Sequence, residues 1–152
     1  DAITVNTSES GLSTASITSS SELTVTGSLD YTQSSKSVTS QDALDALRLS
    51  VGMDTQGGTS TAFDYIAADF NQDGKVSSQD ALAILKYAVG LTTTEQAEWV
   101  FVDTNGDYSG INKSNTSYTE GVRIADLSAD MTVGLTGIFI GDVNDSYSGL
   151  IA

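Results

Sequence analysis

The sequence predicts an α+β fold: a pair of loop–helix repeats joined by a short helix, with β-strands at the N-terminus and in the C-terminal third. Three observations predict it. Residues 38–53 and 76–91 match at an offset of 38, with nine of sixteen positions identical, so one unit is present twice. Within each copy the apolar residues recur at helical spacing. Outside the copies the chain turns to short alternating stretches rich in β-branched residues, separated by Gly, Asn, Asp and Ser. Three parts are expected: a Ser/Thr-rich β-strand appendage at 1–35, the repeat pair at 36–92, and a β-rich extension packed on it at 93–152.

Residues 1–40 contain 12 Ser and 8 Thr, a composition shared by linkers and stalks. Ile3 and Val5, then Leu23 and Val25, alternate with polar residues, which reads as short strands and gives the segment order. In the first repeat Ser40 stands where a helix cap is needed, and Asp42 suits the positive end of the helix dipole. Leu44, Leu47 and Val51 follow as an apolar stripe. Ser78, Asp80, Leu82, Leu85 and Val89 repeat the pattern, so the two stripes are expected to pack on each other. Gly52 and Gly90 follow the last periodic residue, where a left-handed terminator belongs. Residues 62–69 read as a shorter third helix between the copies. Residues 98–102, 121–125 and 135–140 are strand candidates, and Trp99, the only Trp, is expected to anchor the core.

Charge narrows the function. Twenty acidic residues face six basic ones, for a net charge of −14. Nucleic acid is not expected as a partner, because phosphate contacts need clustered Lys and Arg. No apolar run reaches membrane-spanning length, so no membrane insertion is expected. The N-terminus lacks a basic stretch followed by an apolar one, so no signal peptide is expected in these residues. The apolar tip at 150–152 reads as the end of a last strand or as a secretion signal of the bacterial type I kind. Cys, His and Pro are all absent. That removes zinc sites, thiol chemistry, disulfides and an imidazole base, and leaves turns to Gly, Asn, Asp and Ser. Neither a G-x-S-x-G elbow nor a Gly-rich phosphate loop occurs, and 7% aromatic content is thin for a glycosidase cleft. No enzyme is expected.

Residues 69–80 carry the decisive pattern. Asp69, Asn71, Asp73, Ser77 and Asp80 stand at positions 1, 3, 5, 9 and 12, with Gly74 at position 6 and Val76 at position 8. Odd-numbered side chains of a tight loop converge on one point, and calcium takes six to eight hard oxygens there. The carbonyl of Lys75 supplies position 7, Ser77 reaches the ion directly or through water, Val76 anchors the loop to the core, and Asp80 closes the sphere from the following helix.

At these residues the chain resembles the dockerin family, whose calcium loop ends in Asp and is followed by a helix with Leu-type spacing. The resemblance covers residues 69–91, with 38–53 as the duplicated half. It implies a small extracellular module with two loop–helix repeats, binding Ca2+ and docking on a cohesin-like domain. Carried over by position, the ligands are Asp69, Asn71, Asp73, Lys75 through its carbonyl, Ser77 and Asp80. The family's recognition positions fall on Ser40, Gln41 and Arg48 and on Ser78, Gln79 and Lys86, which read equally as capping and surface residues. Pairs that alike would let either helix face a partner after a half-turn. The first repeat departs from the pattern: counting back from Asp42 gives Tyr31, Gln33 and Ser35 at positions 1, 3 and 5, and Lys36 in place of the turn Gly. Residues 65–69, 99–103 and 137–144 are also similar to an extended dockerin-type module found at the C-termini of bacterial surface proteins.

Two weaker constellations remain. Asp103, Asn105, Asp107 and Ser109 share the 1, 3, 5, 7 spacing and read as a second metal site or as a hydrated turn; Asp142 and Asn144 form a shorter fragment of the same kind, a candidate third site. The expected function is a non-catalytic calcium-binding dockerin-like module of a secreted bacterial protein. It would attach that protein to a partner at the cell surface or in an extracellular assembly, the partner being a cohesin-like domain or another copy of the chain. The alternative is a structural subunit or terminal domain of an extracellular fibre or adhesin, a homopolymer assembled by β-strand addition and stabilised by calcium. Three carboxylates repel one another in so small a loop unless a cation joins them. Asp73→Ala and Asp80→Ala are therefore expected to lower the Tm in calcium and to leave it unchanged in EGTA, read by thermal melts.

Overall fold

In chain order the computed structural model contains β1 (Leu23–Val25), α1 (Ser40–Ser50), α2 (Ala62–Ala68), α3 (Ser78–Ala88), β2 (Trp99–Asp103), β3 (Val122–Ile124) and β4 (Leu135–Phe139). The structure describes residues 3–7, 11–17, 22–30 and 37–147. The repeats form α1 and α3, and each begins on a capping box. The caps are Thr39 and Ser77, one residue before the expected Ser40 and Ser78. Their hydroxyls accept the N–H of Gln41 and Gln79, both at 3.2 Å. Asp42 and Asp80 reach back to the N–H of Thr39 and Ser77, both at 2.8 Å. That reciprocal pairing needs a carboxylate three residues after the cap, which Thr39 and Ser77 have and Ser40 and Ser78 lack. Gly52 and Gly90 terminate the helices at φ 81 and 77, as expected.

The packing of the helices corrects one expectation. The faces buried between α1 and α3 carry Ala43, Ala46, Leu49, Ala81 and Ile84, not the leucine stripes. Small alanines let the two backbones approach, and the stripes are turned outward. Leu44, Leu47, Leu82 and Leu85 are 41%, 43%, 52% and 40% exposed, and Val51 and Val89 more so.

One hydrophobic core runs through the repeats and the extension, from Val38, Ile66, Phe70 and Ile84 to Val100, Val102, Ile138, Ile140 and Val143. β2 pairs antiparallel with β4 from Trp99 opposite Phe139 to Asp103 opposite Leu135. Trp99 stacks on Phe139 at 5.0 Å and meets Tyr147 edge-on at 4.9 Å. β1 pairs antiparallel with β3, Leu23 opposite Ile124, so the strand that the fibre alternative would lend to a neighbouring copy is used within the chain. Residues 3–5 form no strand. The predecessor segment of the first repeat, 31–36, and the tip at 150–152 lie outside the described residues. Among the described residues no helix is long and apolar enough to cross a membrane.

The two faces of α3 separate stability from surface. Ile84→Ala, in the fully buried row, is expected to cost about 2–5 kcal/mol. Leu85→Ala, one residue on and exposed, is expected to cost less than about 1 kcal/mol. Urea denaturation of both variants checks this.

Candidate metal centre

α2 ends on Asp69 and α3 starts at Ser78, so the loop between them is held at both ends by helices. Its first carboxylate organises the turn. Asp69 Oδ1 accepts the N–H of Asp73 at 3.0 Å, and Oδ2 accepts that of Gly74 at 2.9 Å. Asn71 Oδ1 also accepts the Asp73 N–H at 3.0 Å, and Asp73 Oδ1 accepts the Lys75 N–H at 3.2 Å. Gly74 turns the chain at φ 94, a left-handed conformation that a side chain would strain. Asp80 closes the ring: its Oδ1 accepts the Asn71 N–H at 3.2 Å while its Oδ2 takes the Ser77 N–H and, at 2.9 Å, the Ser77 hydroxyl. The six expected ligands thus share one hydrogen-bonded turn. Ser77 acts there as a helix cap as well.

The extension contributes two contacts that the sequence reading missed. The Val76 N–H donates to the Lys113 carbonyl at 2.7 Å, and the Thr116 N–H donates to the Gly74 carbonyl at 3.0 Å. The Thr116 hydroxyl, itself buried, donates to Asp69 Oδ2 at 2.5 Å. A segment some forty residues downstream (Thr116 is 47 residues from Asp69) therefore braces the loop. No local spacing signals it, because the pairing is made across the fold.

Electrostatics favour a cation here. Asp69 is 5% exposed and Asp80 not at all. Burial pushes the Asp69 carboxyl above its usual range and the charge of Asp80 pushes the same way, against hydrogen bonds from Thr116, Gly74 and Asp73. The one ion pair among the described residues joins Arg123 to Glu22, away from the loop. Among the described residues, then, no cationic side chain forms an ion pair with either buried carboxylate. Among the described residues no three acidic side chains gather into a single cluster. The loop instead mixes carboxylates with amide, carbonyl and hydroxyl oxygens, all hard donors with no nitrogen or sulfur among them. That set fits calcium and is poorly suited to zinc or copper. Bound there, the ion would supply charge neutralisation and a cross-link between the ends of α2 and α3.

The family model described as the dockerin type I domain matches residues 35–88 and, overlapping, 67–110, together half of the chain. The chain belongs to the type I dockerin family. No curated protein matches it and no solved structure matches it. Type I dockerins bind calcium through EF-hand-like loops and serve as non-catalytic modules of protein–protein attachment with cohesin partners.

The other expected positions of this dockerin fall as follows. Asp103 Oδ1 accepts the Asn105 N–H at 2.9 Å and Asp107 Oδ1 accepts the Ser109 N–H at 3.0 Å, so each carboxylate serves its own local turn. Hydrogen bonds from Ser109 hold the exposed Asp107 carboxyl below its usual range. Asp142 is buried, and the Asn144 N–H donates to Asp42 Oδ1 at 3.1 Å, which brings that fragment to the first repeat. Ser40, Ser78, Gln79 and Lys86 are exposed, and Gln41 and Arg48 half-buried. The Arg48 Nε–H donates to the Asp54 carbonyl at 2.7 Å.

Asp80 has a second duty as cap and loop tie, so the expectation for it changes. Asp80→Ala should destabilise the dockerin in EGTA too, by about 1–3 kcal/mol, because the N–H groups of Asn71 and Ser77 lose their acceptor. Asp73→Ala, at an exposed position, keeps its calcium-only effect. Thr116→Val should weaken calcium binding measured by calorimetry and cost about 1–3 kcal/mol. Unchanged affinity would show that the brace from the extension is idle.

Proposed function

We propose that this dockerin is a calcium-stabilised attachment module whose partner-binding face is the groove between α1 and α3. The observation that carries the reading is the groove's lining: Ser40, Ala43, Leu44 and Leu47 on one helix, and Ser78, Ala81, Leu82 and Leu85 on the other. Each pair is separated by the repeat offset of 38, so the face is internally two-fold in its chemistry. Four exposed leucines in one groove form an apolar patch of the kind that marks a protein interface. Gln41, Arg48, Gln79 and Lys86, on the same two helices, supply polar contacts beside it. Because the pairs are alike, either helix can take the leading position after a half-turn of the partner.

Calcium acts in this proposal on the scaffold. It would join residues 69–80 to the start of α3 and so hold the groove's second wall in place. Such a loop is suited to the calcium-rich exterior of a cell, as are the lack of Cys and the strong acidity. The parent protein is accordingly proposed to be secreted or displayed on a bacterial surface, with a cohesin-like domain as its partner. A fibre built by strand addition has less support, since β1 is paired within the chain.

Isothermal titration against recombinant type I cohesin domains tests the proposal. Binding is expected in calcium and not in EGTA. Leu47→Glu combined with Leu85→Glu should raise the Kd by about 100-fold or more, the effect of losing central apolar anchors. Either substitution alone should cost under about tenfold, because the intact helix can still lead. Binding that survives the double change would place the partner elsewhere.

A further inference from the structure

We propose that Asn105 is a site of spontaneous modification, where water converts the side-chain amide to a carboxylate through a cyclic imide closed by the nitrogen of Gly106. No step uses a metal, so the site stands apart from the calcium reading of residues 69–80.

The chain has six Asn, at 6, 71, 105, 112, 115 and 144, and Asn105 is the one followed by Gly. Asn is a thermolabile residue. Imide closure brings the main-chain nitrogen of the next residue onto the Asn Cγ, and a Cβ on that next residue obstructs the approach, which Gly permits. Asn6 and Asn144 precede Thr7 and Asp145, which obstruct it. Asn71, Asn112 and Asn115 are also held. Their Oδ1 atoms accept the N–H of Asp73, Ser114 and Ser117 at 3.0, 2.8 and 3.1 Å. Their amide groups donate to Asp73 Oδ2 or to the Gly110 carbonyl. Asn105 is exposed and engages through its main chain, whose N–H donates to Asp103 Oδ1 at 2.9 Å. Among the described residues its side-chain amide makes no hydrogen bond. Position 106 has to stay Gly, because a Cβ there would lie 2.6 Å from the Tyr108 hydroxyl oxygen. That hydroxyl donates to the Asp103 carbonyl, which also accepts the Gly106 N–H at 3.1 Å. When the Gly106 nitrogen turns away to react, the carbonyl therefore keeps a partner, and opening the turn leaves no acceptor unpaired.

In the first step the Gly106 nitrogen bonds to Asn105 Cγ and releases its proton to solvent. The Cγ–Nδ2 bond breaks, and the nitrogen leaves as ammonia after taking up a proton from water. In the second step water adds to one of the two imide carbonyls and opens the ring. Breaking the bond from Cγ to nitrogen gives Asp; breaking the original main-chain bond gives the β-linked isomer, in which the backbone runs through Cγ. Water is the only co-reactant, and nothing is oxidised or reduced. Either product places one more negative charge between Asp103 and Asp107. The β-linked product also adds a carbon to the main chain as it leaves β2. There the strand ends on the Asp103–Leu135 pair, followed by the Thr104 N–H donating to the Gly134 carbonyl at 2.9 Å. The conversion thus leaves a mark of the molecule's age at the end of the β2–β4 pairing.

Incubation of the folded whole chain in calcium and heavy-oxygen water, at neutral pH and physiological temperature, tests the proposal by peptide mass mapping. The peptide carrying Asn105 should exchange its amide nitrogen for one heavy oxygen before any other Asn peptide does. Part of that product should accept a methyl group from isoaspartyl methyltransferase. Asn105→Gln, whose longer side chain would need a six-membered imide, should lose the mass shift and, at an exposed position, leave the Tm unaltered. Earlier conversion of another Asn, or conversion of Asn105 in urea but not in the folded chain, would overturn the proposal.

Discussion

A fully buried carboxylate one turn into each repeated helix is the constraint on which the rest of the structure depends. Asp42 and Asp80 are enclosed, and each spends its two oxygens on different structures. One oxygen closes the capping box of its own helix; the other holds the N–H of a distant turn, Asn144 for Asp42 and Asn71 for Asp80. Helix start and loop closure therefore meet at single side chains. A buried carboxylate is tolerated when hydrogen bonds and a nearby cation compensate its lost hydration. The fold supplies the first, and calcium is suited to the second.

From that constraint the orientation of the helices follows. With Asp42 and Asp80 facing the loops, Ala43, Ala46 and Ala81 fall on the buried side and the leucine stripes fall outside. Stability then comes from few large side chains, Leu49, Ile66, Phe70 and Ile84 among them, and from the close approach that alanine allows. The apolar residues left outside are a poor surface for an isolated molecule and a good one for a docking module. In this chain the buried and the exposed apolar residues lie on different faces of the same helix pair.

The extension is part of this scheme and not an addition to it. Lys113 and Thr116 brace the loop of the second repeat, while residues 142–147 stand against the start of the first. β4 leads into residues 142–147, and the buried Val100 and Val102 of β2 and Ile138 of β4 belong to the same core as Ile66 of α2. The two repeats are alike in their helices and in the capping boxes that start them.

Local regularities were legible in the sequence. Helical spacing placed α1 and α3, the short helix before Asp69 appeared where its apolar residues put it, and four strand candidates formed at 23–25, 99–103, 122–124 and 135–139. The twelve-position pattern from Asp69 to Asp80 marked the loop because all its donors lie within one turn of chain. Which face of each helix is buried was not legible, since Leu44, Leu47 and Val51 form as good a stripe as Ala43, Ala46 and Leu49, and packing distance chooses between them. Thr116 carried no signal of its role for the same reason. The sequence alone determined the elements, their caps to within one residue, and one oxygen-rich loop, because neighbours in the chain make those interactions. Tertiary structure decided the exposed leucine face, the brace on Asp69 and the meeting of Asp42 with Asp142, because each depends on which distant surfaces the core brings within hydrogen-bonding reach.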